Sequence, residues 1–595
     1  MSENKKLLTG NEAVARGAYE AGVSFASAYP GTPSTEILEN MVCFKGELYA
    51  EWATNEKVAY ESAFGASMAG FRALSTMKHV GVNVAADPLF TSVYTGVTGG
   101  LMLVSADDPG LHSSQNEQDN RNYAIAAKIP MIEPSDSSDA LNFTKLAYQI
   151  SEKFNIPILF RMTTRVCHSK STVEISDRVE VACVPYEKNI AKFVATPANA
   201  KVMRVDLAKR LEALHVYSNN DAFEIGLSKI DYAEDKSVGV ISAGVAYQYA
   251  KDAFGEDVSF MKIGMTNPLP IDKIKEFASK VEKLYVVEEL EPFMENQLKA
   301  AGIDCIGKEL IPDREELNAD IVRAAIFGKE SEHITSELKA VPRPPAMCAG
   351  CPHRGMFYVL ASKSKKEKLM VTGDIGCYTL GSAPPLSAID SCICMGGSIS
   401  TGHGAAKVIK SHRVVSVIGD STFMHTGVNS LMSAVYNGSN LITIIMDNRI
   451  TAMTGQQQNP GTGFTLQGDA APEVDIPLLC KALGMSDDAV TVVNPLDLEA
   501  SEKALDDAIN RECPSVIITK WPCALKQMSE QDKADFDLAR KPYEINQEKC
   551  KRCKKCLKCG CPAIYNGEEI TIDTSCTGCG VCKQICTFDA IEIKG

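Results

Sequence analysis

Val414-Val415-Ser416-Val417-Ile418-Gly419-Asp420-Ser421 and Leu441-Ile442-Thr443-Ile444-Ile445-Met446-Asp447-Asn448 are two short apolar runs, each ending in a polar group. Runs of this length, rich in β-branched residues and bounded by turn formers, read as strands buried on both faces, the pattern of a parallel sheet. Val414–Ile418 and Leu441–Met446 are therefore expected strands of an α/β domain. Each leaves a polar residue just past its end, where ligands bind in doubly wound sheets. Asn448 follows Asp420 by 28 positions. Mg²⁺ takes oxygen ligands in octahedral geometry, a few from protein and the rest from phosphate or water. Asp420, the Asn448 amide oxygen and the Ile450 carbonyl can supply them. An Asp and an Asn after strands also serve as helix caps.

Working outward, the 595 residues suffice for about three to five domains. The first block, 1–185, alternates apolar runs with amphipathic stretches. Ser24–Tyr29 and Ile158–Arg161 read as strands, the first ending in the turn Tyr29-Pro30-Gly31-Thr32-Pro33-Ser34-Thr35. The second block, 190–335, is a smaller α/β domain. Its expected elements are the strands Val238–Ala243 and Leu284–Val287 and the helices Ala246–Phe254 and Ile271–Ser279. Pro342-Arg343-Pro344-Pro345 reads as a stiff linker. The third block is 342–535, and 541–595 is a Cys- and Lys-rich tail too small for a hydrophobic core of its own.

Composition narrows the function classes. The net charge of −14 argues against nucleic acid as a partner, because phosphate binding needs clustered Lys and Arg. The N-terminus MSENKKLLTG is too short and polar for a signal peptide, and no run of about 18 apolar residues suggests a membrane span. A soluble, cytoplasmic protein is expected. Of its 21 cysteines, nine fall between Cys550 and Cys586, which in a long chain of this kind favours metal or redox use over disulfides.

Cys576-x2-Cys579-x2-Cys582-x3-Cys586 has three thiolates three residues apart, and so does Cys550-x2-Cys553-x2-Cys556 upstream. Three such thiolates wrap one cubane, and the fourth cysteine of each tract reaches the other cluster. The tail resembles a two-cluster bacterial ferredoxin. That resemblance implies one [4Fe–4S] cluster on Cys550, Cys553, Cys556 and Cys586, and a second on Cys576, Cys579, Cys582 and Cys561. Cys561 follows Cys556 at x4 where the pattern has x3, and Cys559 is an extra candidate; Pro562 favours Cys561. A zinc ribbon is the competing reading, but it uses two Cys pairs rather than two triplets.

Gly419-Asp420-Ser421 and Asp447-Asn448 resemble the thiamine diphosphate motif, which begins Gly-Asp-Gly and ends Asn-Asn; Ser421 and Asp447 are departures. The stretch Asp447–Gln457 is similar to its counterpart in the thiamine-dependent 2-oxoacid:ferredoxin oxidoreductases, and so is Asn55–Ala66. Membership of that family implies an α/β multidomain fold. Two doubly wound thiamine domains (pyrimidine-binding-type and diphosphate-binding) would flank a transketolase-C-terminal-like domain, and a ferredoxin-like α+β tail would come last. It implies that Glu56 is the carboxylate that activates the cofactor through N1′ of its aminopyrimidine, with Ala59, Ala63, Ala66 and Gly70 on one packing face. Thr32 would hydrogen-bond the oxoacid, and Gly419, Asp420, Ser421, Asn448 and Ile450 would hold the diphosphate and Mg²⁺. The polar loop Leu111–Arg121 would lie near the substrate, with Arg121 or His112 as candidates to face its carboxylate. Cys348, Cys351, Cys377 and Cys523 would carry a third [4Fe–4S] cluster near the thiamine, whereas Cys392 and Cys394 read as structural.

Order and length match the alpha subunit of the family's aryl-pyruvate members. The resemblance thus implies oxidative decarboxylation of an aryl pyruvate, chiefly indolepyruvate. CoA would accept the acyl group, an external ferredoxin the electrons, and a beta subunit would complete a hetero-oligomer. The alternatives are the same chemistry on another 2-oxoacid, such as phenylpyruvate or a branched oxoacid; a non-oxidative decarboxylase, which has no use for clusters; and an electron-transfer subunit, which has no use for Asp420, Asn448 and Glu56.

Overall fold

The computed structural model describes residues 4–329, 336–341 and 344–594. Residues 1–3 of the N-terminal stretch, 330–335 at the end of the second block, and Pro342-Arg343 of the expected linker lie outside them. The chain forms two units, Met1–Glu337 and Leu338–Gly595.

In the second unit the two apolar runs become the strands Arg413–Gly419 and Ile442–Asp447, neighbours at the centre of a five-stranded parallel sheet. The sheet order is Leu369–Thr372, Arg413–Gly419, Ile442–Asp447, Ser515–Lys520 and Val490–Val493. Alternate residues feed two separate cores. Val415, Val417, Ile444, Met446 and Ile517 pack on one face with Phe357 and Leu505. Val414, Ile418, Ile445, Val516 and Ile518 pack on the other with Leu431 and Cys480. Each fully buried aliphatic side chain stabilises by about 1.5–3 kcal/mol, which is why the runs are apolar on both faces, Ser416 and Thr443 apart, instead of alternating.

The tail was expected to lack a hydrophobic core; it has a small one. Two antiparallel strand pairs, Tyr543–Ile545 with Ile591–Ile593 and the hairpin Ile564–Asn566 with Ile570–Ile572, help to bury Ile564, Ile570, Val581, Ile585 and Ile591. Leu496 from the parallel-sheet domain joins that cluster, so the tail also docks on its neighbour. Gln584 fixes the contact by donating to the Leu496 carbonyl (2.7 Å) and accepting from Leu498 N (3.0 Å).

The first unit is built on a seven-stranded sheet. Its order is Met265–Asn267, Met131–Ile132, Ile158–Thr163, Leu101–Asp107, Ala73–Lys78, Phe25–Ala28 and Tyr49–Trp52. All pairings are parallel except the first, so residues from the second expected block supply an antiparallel edge to the first block's sheet. A four-stranded sheet holds the rest of that block: Lys283–Val287, Val238–Ala243, Ser259–Ile263 and Lys229–Asp231. The strands and helices read from the sequence agree with these bounds to within a residue or two.

From Phe25–Ala28 the chain runs to one side of the sheet, into Tyr49–Trp52, and from Ala73–Lys78 to the other, into Leu101–Asp107. The carboxyl ends of these adjacent strands therefore flank a topological switch point, the place where such sheets bind ligands.

Candidate active site

Asp420 opens the short helix Asp420–Thr422 directly after its strand, and Asn448 comes after Asp447 at the end of the neighbouring strand. Asp420, Asp447, Asn448 and Ile450 are all buried, and so is Ser421. Burial pushes the Asp420 carboxyl up, and Asp447 beside it pushes the same way. Two buried acids and the Asn448 amide, at the carboxyl ends of neighbouring strands, offer oxygen donors of the kind that suit a hard cation. Asn459 donates to Asp420 Oδ2 (3.3 Å), Ile450 N to Asn448 Oδ1 (3.2 Å), and Thr451 Oγ1 to Ser421 Oγ (2.8 Å). Gly419 has no room for a side chain: a Cβ there would come within 2.5 Å of the Tyr378 ring. These residues fit a Mg²⁺-bound diphosphate in donor chemistry.

His353 lies against this group. Its Nε2 receives the Asn448 amide N–H (3.3 Å), and its ring meets Tyr378 edge to face. Burial pulls the imidazole down to about 4, so it is neutral and able to accept that hydrogen bond. Cys523 N donates to the Asn448 carbonyl at 3.0 Å, and Trp521 N to the Asp447 carbonyl at 3.1 Å. Cys523 is thereby one hydrogen bond from Asn448. Cys348, Cys351, Cys377 and Cys523 come together: the thiols of Cys351 and Cys377 are both raised first by burial and then by others of the four. Cys392 and Cys394, read as structural, are exposed.

The tail separates its cysteines into two groups. Cys550, Cys553, Cys556 and Cys586 line one small pocket, together with Lys551, Lys554 and Lys555. Cys582 feels Cys559, Cys579, Cys561 and Cys576. Cys586 thus sits with the upstream triplet, while Cys559 and Cys561 sit with the downstream one. Backbone N–H groups of Tyr543 and Ala590 donate to the sulfurs of Cys576 and Cys586, each at 3.4 Å. Cys559 is fully buried and its thiol donates to the Cys556 carbonyl at 3.0 Å, whereas Cys561 is half-buried. Among the described residues, no three His, Cys, Asp or Glu side chains close on a single ion. A cubane spreads its thiolates over four iron corners and asks for wider spacing.

In the first unit, Glu56 starts the helix Glu56–Met68, N-capped by Asn55, whose side chain accepts from Val58 N. Glu56 is 5% exposed, against exposed Glu61 and half-buried Glu51. It packs against the helix His79–Val84 so closely that a Cβ on Gly81 would lie 2.7 Å from Glu56 Cγ. Ala59 and Ala63 are fully buried and Ala66 half-buried, as a close-packed face requires. Thr32, half-buried, lies in the loop after Phe25–Ala28, and a side chain at the adjoining Gly31 would begin 3.1 Å from Lys78 Cβ. Lys78 thus joins the Thr32 loop at the switch point, with His79 next to it in the chain, and nothing in the sequence singled them out. Lys78 donates to the Ser113 carbonyl, and burial lowers its ammonium. His79 is fully buried, and its Nε2 lies 3.1 Å from Asn116 Oδ1.

Arg121 does not face a substrate. It is buried in ion pairs with Asp119 (2.6 Å) and Glu288 (2.6 Å) and also donates to the Glu289 carbonyl. Arg161 extends this network to Asp107 and Glu133. His112 is half exposed and lies 3.2 Å from Glu316.

Two family models match the chain: "Pyruvate flavodoxin/ferredoxin oxidoreductase, thiamine diP-bdg" over residues 16–237 and "Thiamine pyrophosphate enzyme, C-terminal TPP binding domain" over 374–519. The chain is 40% identical over 619 residues to indolepyruvate oxidoreductase subunit IorA of Archaeoglobus fulgidus, covering 99% of this chain and 97% of the relative. It is 38% identical over 634 residues to the protein of the same name in Thermococcus kodakarensis, covering 98% and 96%. A solved 2-oxoglutarate:ferredoxin oxidoreductase from Magnetococcus marinus superposes with a TM-score of 0.44 at 19% identity, over 51% of this chain and 62% of that one.

Proposed function

The chain belongs to the indolepyruvate oxidoreductase subunit IorA family, and on that premise we propose that it oxidatively decarboxylates aryl pyruvates, indolepyruvate first, to the aryl-acetyl-CoA with CO2 and reduced ferredoxin. Thiamine-dependent, ferredoxin-linked 2-oxoacid oxidation is the activity of the family, and its two thiamine-binding domain models both match here. Bound thiamine diphosphate supplies the electron sink for decarboxylation, and iron–sulfur clusters take electrons away singly.

In this reading the chain's own groups divide the labour. Asp420, Asn448 and the Ile450 carbonyl hold Mg²⁺, with Gly419 and Ser421 against the diphosphate. Glu56 holds a proton at the pyrimidine N1′, a role that buried surroundings favour because they sharpen a carboxylate's hydrogen bond. Thr32 donates to the oxoacid. Cys348, Cys351, Cys377 and Cys523 hold one [4Fe–4S] cluster. The tail holds two more, on Cys550, Cys553, Cys556 and Cys586, and on Cys576, Cys579, Cys582 and Cys561. Cys561 is preferred to Cys559 because Pro562 follows it, as in the ferredoxin pattern. The lysines beside the first of these tail clusters suit an acidic ferredoxin, and a beta subunit completes a hetero-oligomer.

The observation that carries the reading is the Cys523 N–H to Asn448 carbonyl bond at 3.0 Å, which joins a metal-site residue to a cluster cysteine. In this reading the electron path starts beside the place where electrons are released, an arrangement a non-oxidative decarboxylase would not need. The test is anaerobic turnover of the complete enzyme with indolepyruvate, CoA and ferredoxin, with and without added thiamine diphosphate. Thiamine-dependent ferredoxin reduction is expected. Free aldehyde without ferredoxin reduction would refute the oxidative reading, and faster turnover of an aliphatic oxoacid would replace the substrate.

A further inference from the structure

Arg354 lies in the first turn of the helix His353–Glu367 and is 1% exposed. Its guanidinium donates to three backbone carbonyls: Nη1 to Cys559 at 2.7 Å, and Nη2 to Met347 at 2.6 Å and Cys348 at 2.9 Å. The buried Nε has no acceptor among the described residues. Nor does any described carboxylate pair with Arg354, although Arg121, Arg161 and Arg449, all as deeply buried, each pair with two or more. A guanidinium does not release its proton, and a buried cation without an anion is strongly unfavourable. Some negative charge must therefore stand beside it.

What surrounds it is thiol. Its charge is felt by Cys351 on one side and by Cys559 and Cys579 on the other. The two cysteine-bearing loops also touch: Gly350, at φ +70, comes so near that a Cβ there would lie 1.9 Å from Thr577 Oγ1. Cys556, in the outer group, feels Cys550, Cys553 and Cys586.

We propose that Arg354 is the shared counter-charge of two iron–sulfur clusters, the one on Cys348, Cys351, Cys377 and Cys523 and the one on the Cys576, Cys579 and Cys582 triplet, and that it raises the reduction potential of both. The proposal rests on the reading that these cysteines hold clusters. A thiolate-bound cubane is anionic, and reduction adds negative charge. A fixed cation in a dry environment therefore favours the reduced form, and net charge is one of the levers that set cluster potentials. Arg354 is a positioning and tuning residue on this account, because it touches neither substrate nor the reacting atoms.

The test is an EPR-monitored redox titration of the complete enzyme, native and with Arg354→Gln or Arg354→Lys, alongside iron and acid-labile sulfide content. Three clusters in the native enzyme establish the reading on which the proposal rests; absence of iron would end that reading itself. Given three, Arg354→Gln should lower two midpoint potentials and leave the third, that of the Cys550 group, in place. Arg354→Lys, which keeps the charge, should leave both near native. The proposal is overturned if Arg354→Gln moves no potential or moves all three alike, or if Arg354→Lys lowers them as far as Gln does. Should Arg354→Gln fail to assemble, Arg354→Lys decides alone: native midpoints support the proposal, and lowered midpoints or lost clusters make the residue a strut.

Discussion

Glu56 owes its position to a neighbour with no side chain. The Gly81 backbone passes where a Cβ would meet Glu56 Cγ at 2.7 Å, so the carboxylate is pinned between two helix starts. Glu56→Gln should reduce turnover to background with the melting temperature unchanged, as read by ferredoxin reduction and thermal CD. Gly81→Ala should displace the carboxylate by several tenths of an ångström and lower kcat/KM on the order of 10²-fold, the usual cost of a misplaced catalytic group. At this scale the sequence was informative only where a motif carried it. Glu56 was singled out by the resemblance of Asn55–Ala66 to the family's glutamate-bearing helix. Lys78 carries no motif and reaches the Thr32 loop only because Ala73–Lys78 pairs in parallel with Phe25–Ala28. Arg121 misled for the same reason in reverse. Its sequence neighbours are polar, but its partner Glu288 stands 167 residues further along and buries it.

Among elements, the strand leading to the metal-site aspartate was legible because both faces are buried, so each residue of Val414–Ile418 is apolar or small and the flanking polar groups mark its ends. The turn beyond Asn448 was less legible. Arg449 reaches Asp532 at 2.8 Å and Glu473 at 2.8 Å, and so ties the Glu530–Asp535 helix to the end of the strand that carries Asn448. Burial opposes ionisation of Asp532, but hydrogen bonds from Lys526 and Ser529 outweigh it and hold the carboxyl at about 2. Its folded value is below the usual carboxylate value near 4, so the stabilisation is complete above about pH 4 and is lost as pH falls through 2. Asp532→Asn should remove that segment of the acid limb in a denaturation-versus-pH series. It should also weaken Mg²⁺ binding several-fold, measured by metal titration, because the Asp447–Ile450 turn loses its clamp.

For the molecule as a whole, cysteine spacing marked out the tail and its partition into two groups, because a cubane demands triplets. Its small aliphatic core left no trace in the pattern because Ile564, Ile570 and Ile591 stand far apart in the tail and borrow Leu496 from another domain. The chain carries a net −14, yet Lys551, Arg552, Lys554, Lys555 and Lys558 crowd one exposed loop and make no ion pair among the described residues. Reduction of an acidic ferredoxin should slow as ionic strength rises from about 0.05 to about 0.3 M, where screening shortens to a few ångströms. Lys551→Glu with Lys554→Glu should raise the KM for ferredoxin about tenfold at low salt, in steady-state assays at fixed oxoacid.

The antiparallel strand Met265–Asn267 completes a sheet whose other six strands are all finished by Thr163. During synthesis the nascent sheet must therefore wait with one rim bare while some hundred more residues leave the ribosome, roughly 5–20 seconds at ordinary elongation rates. The rim that waits, Met131–Ile132, is two residues long, too short a template for a stray chain to zip onto.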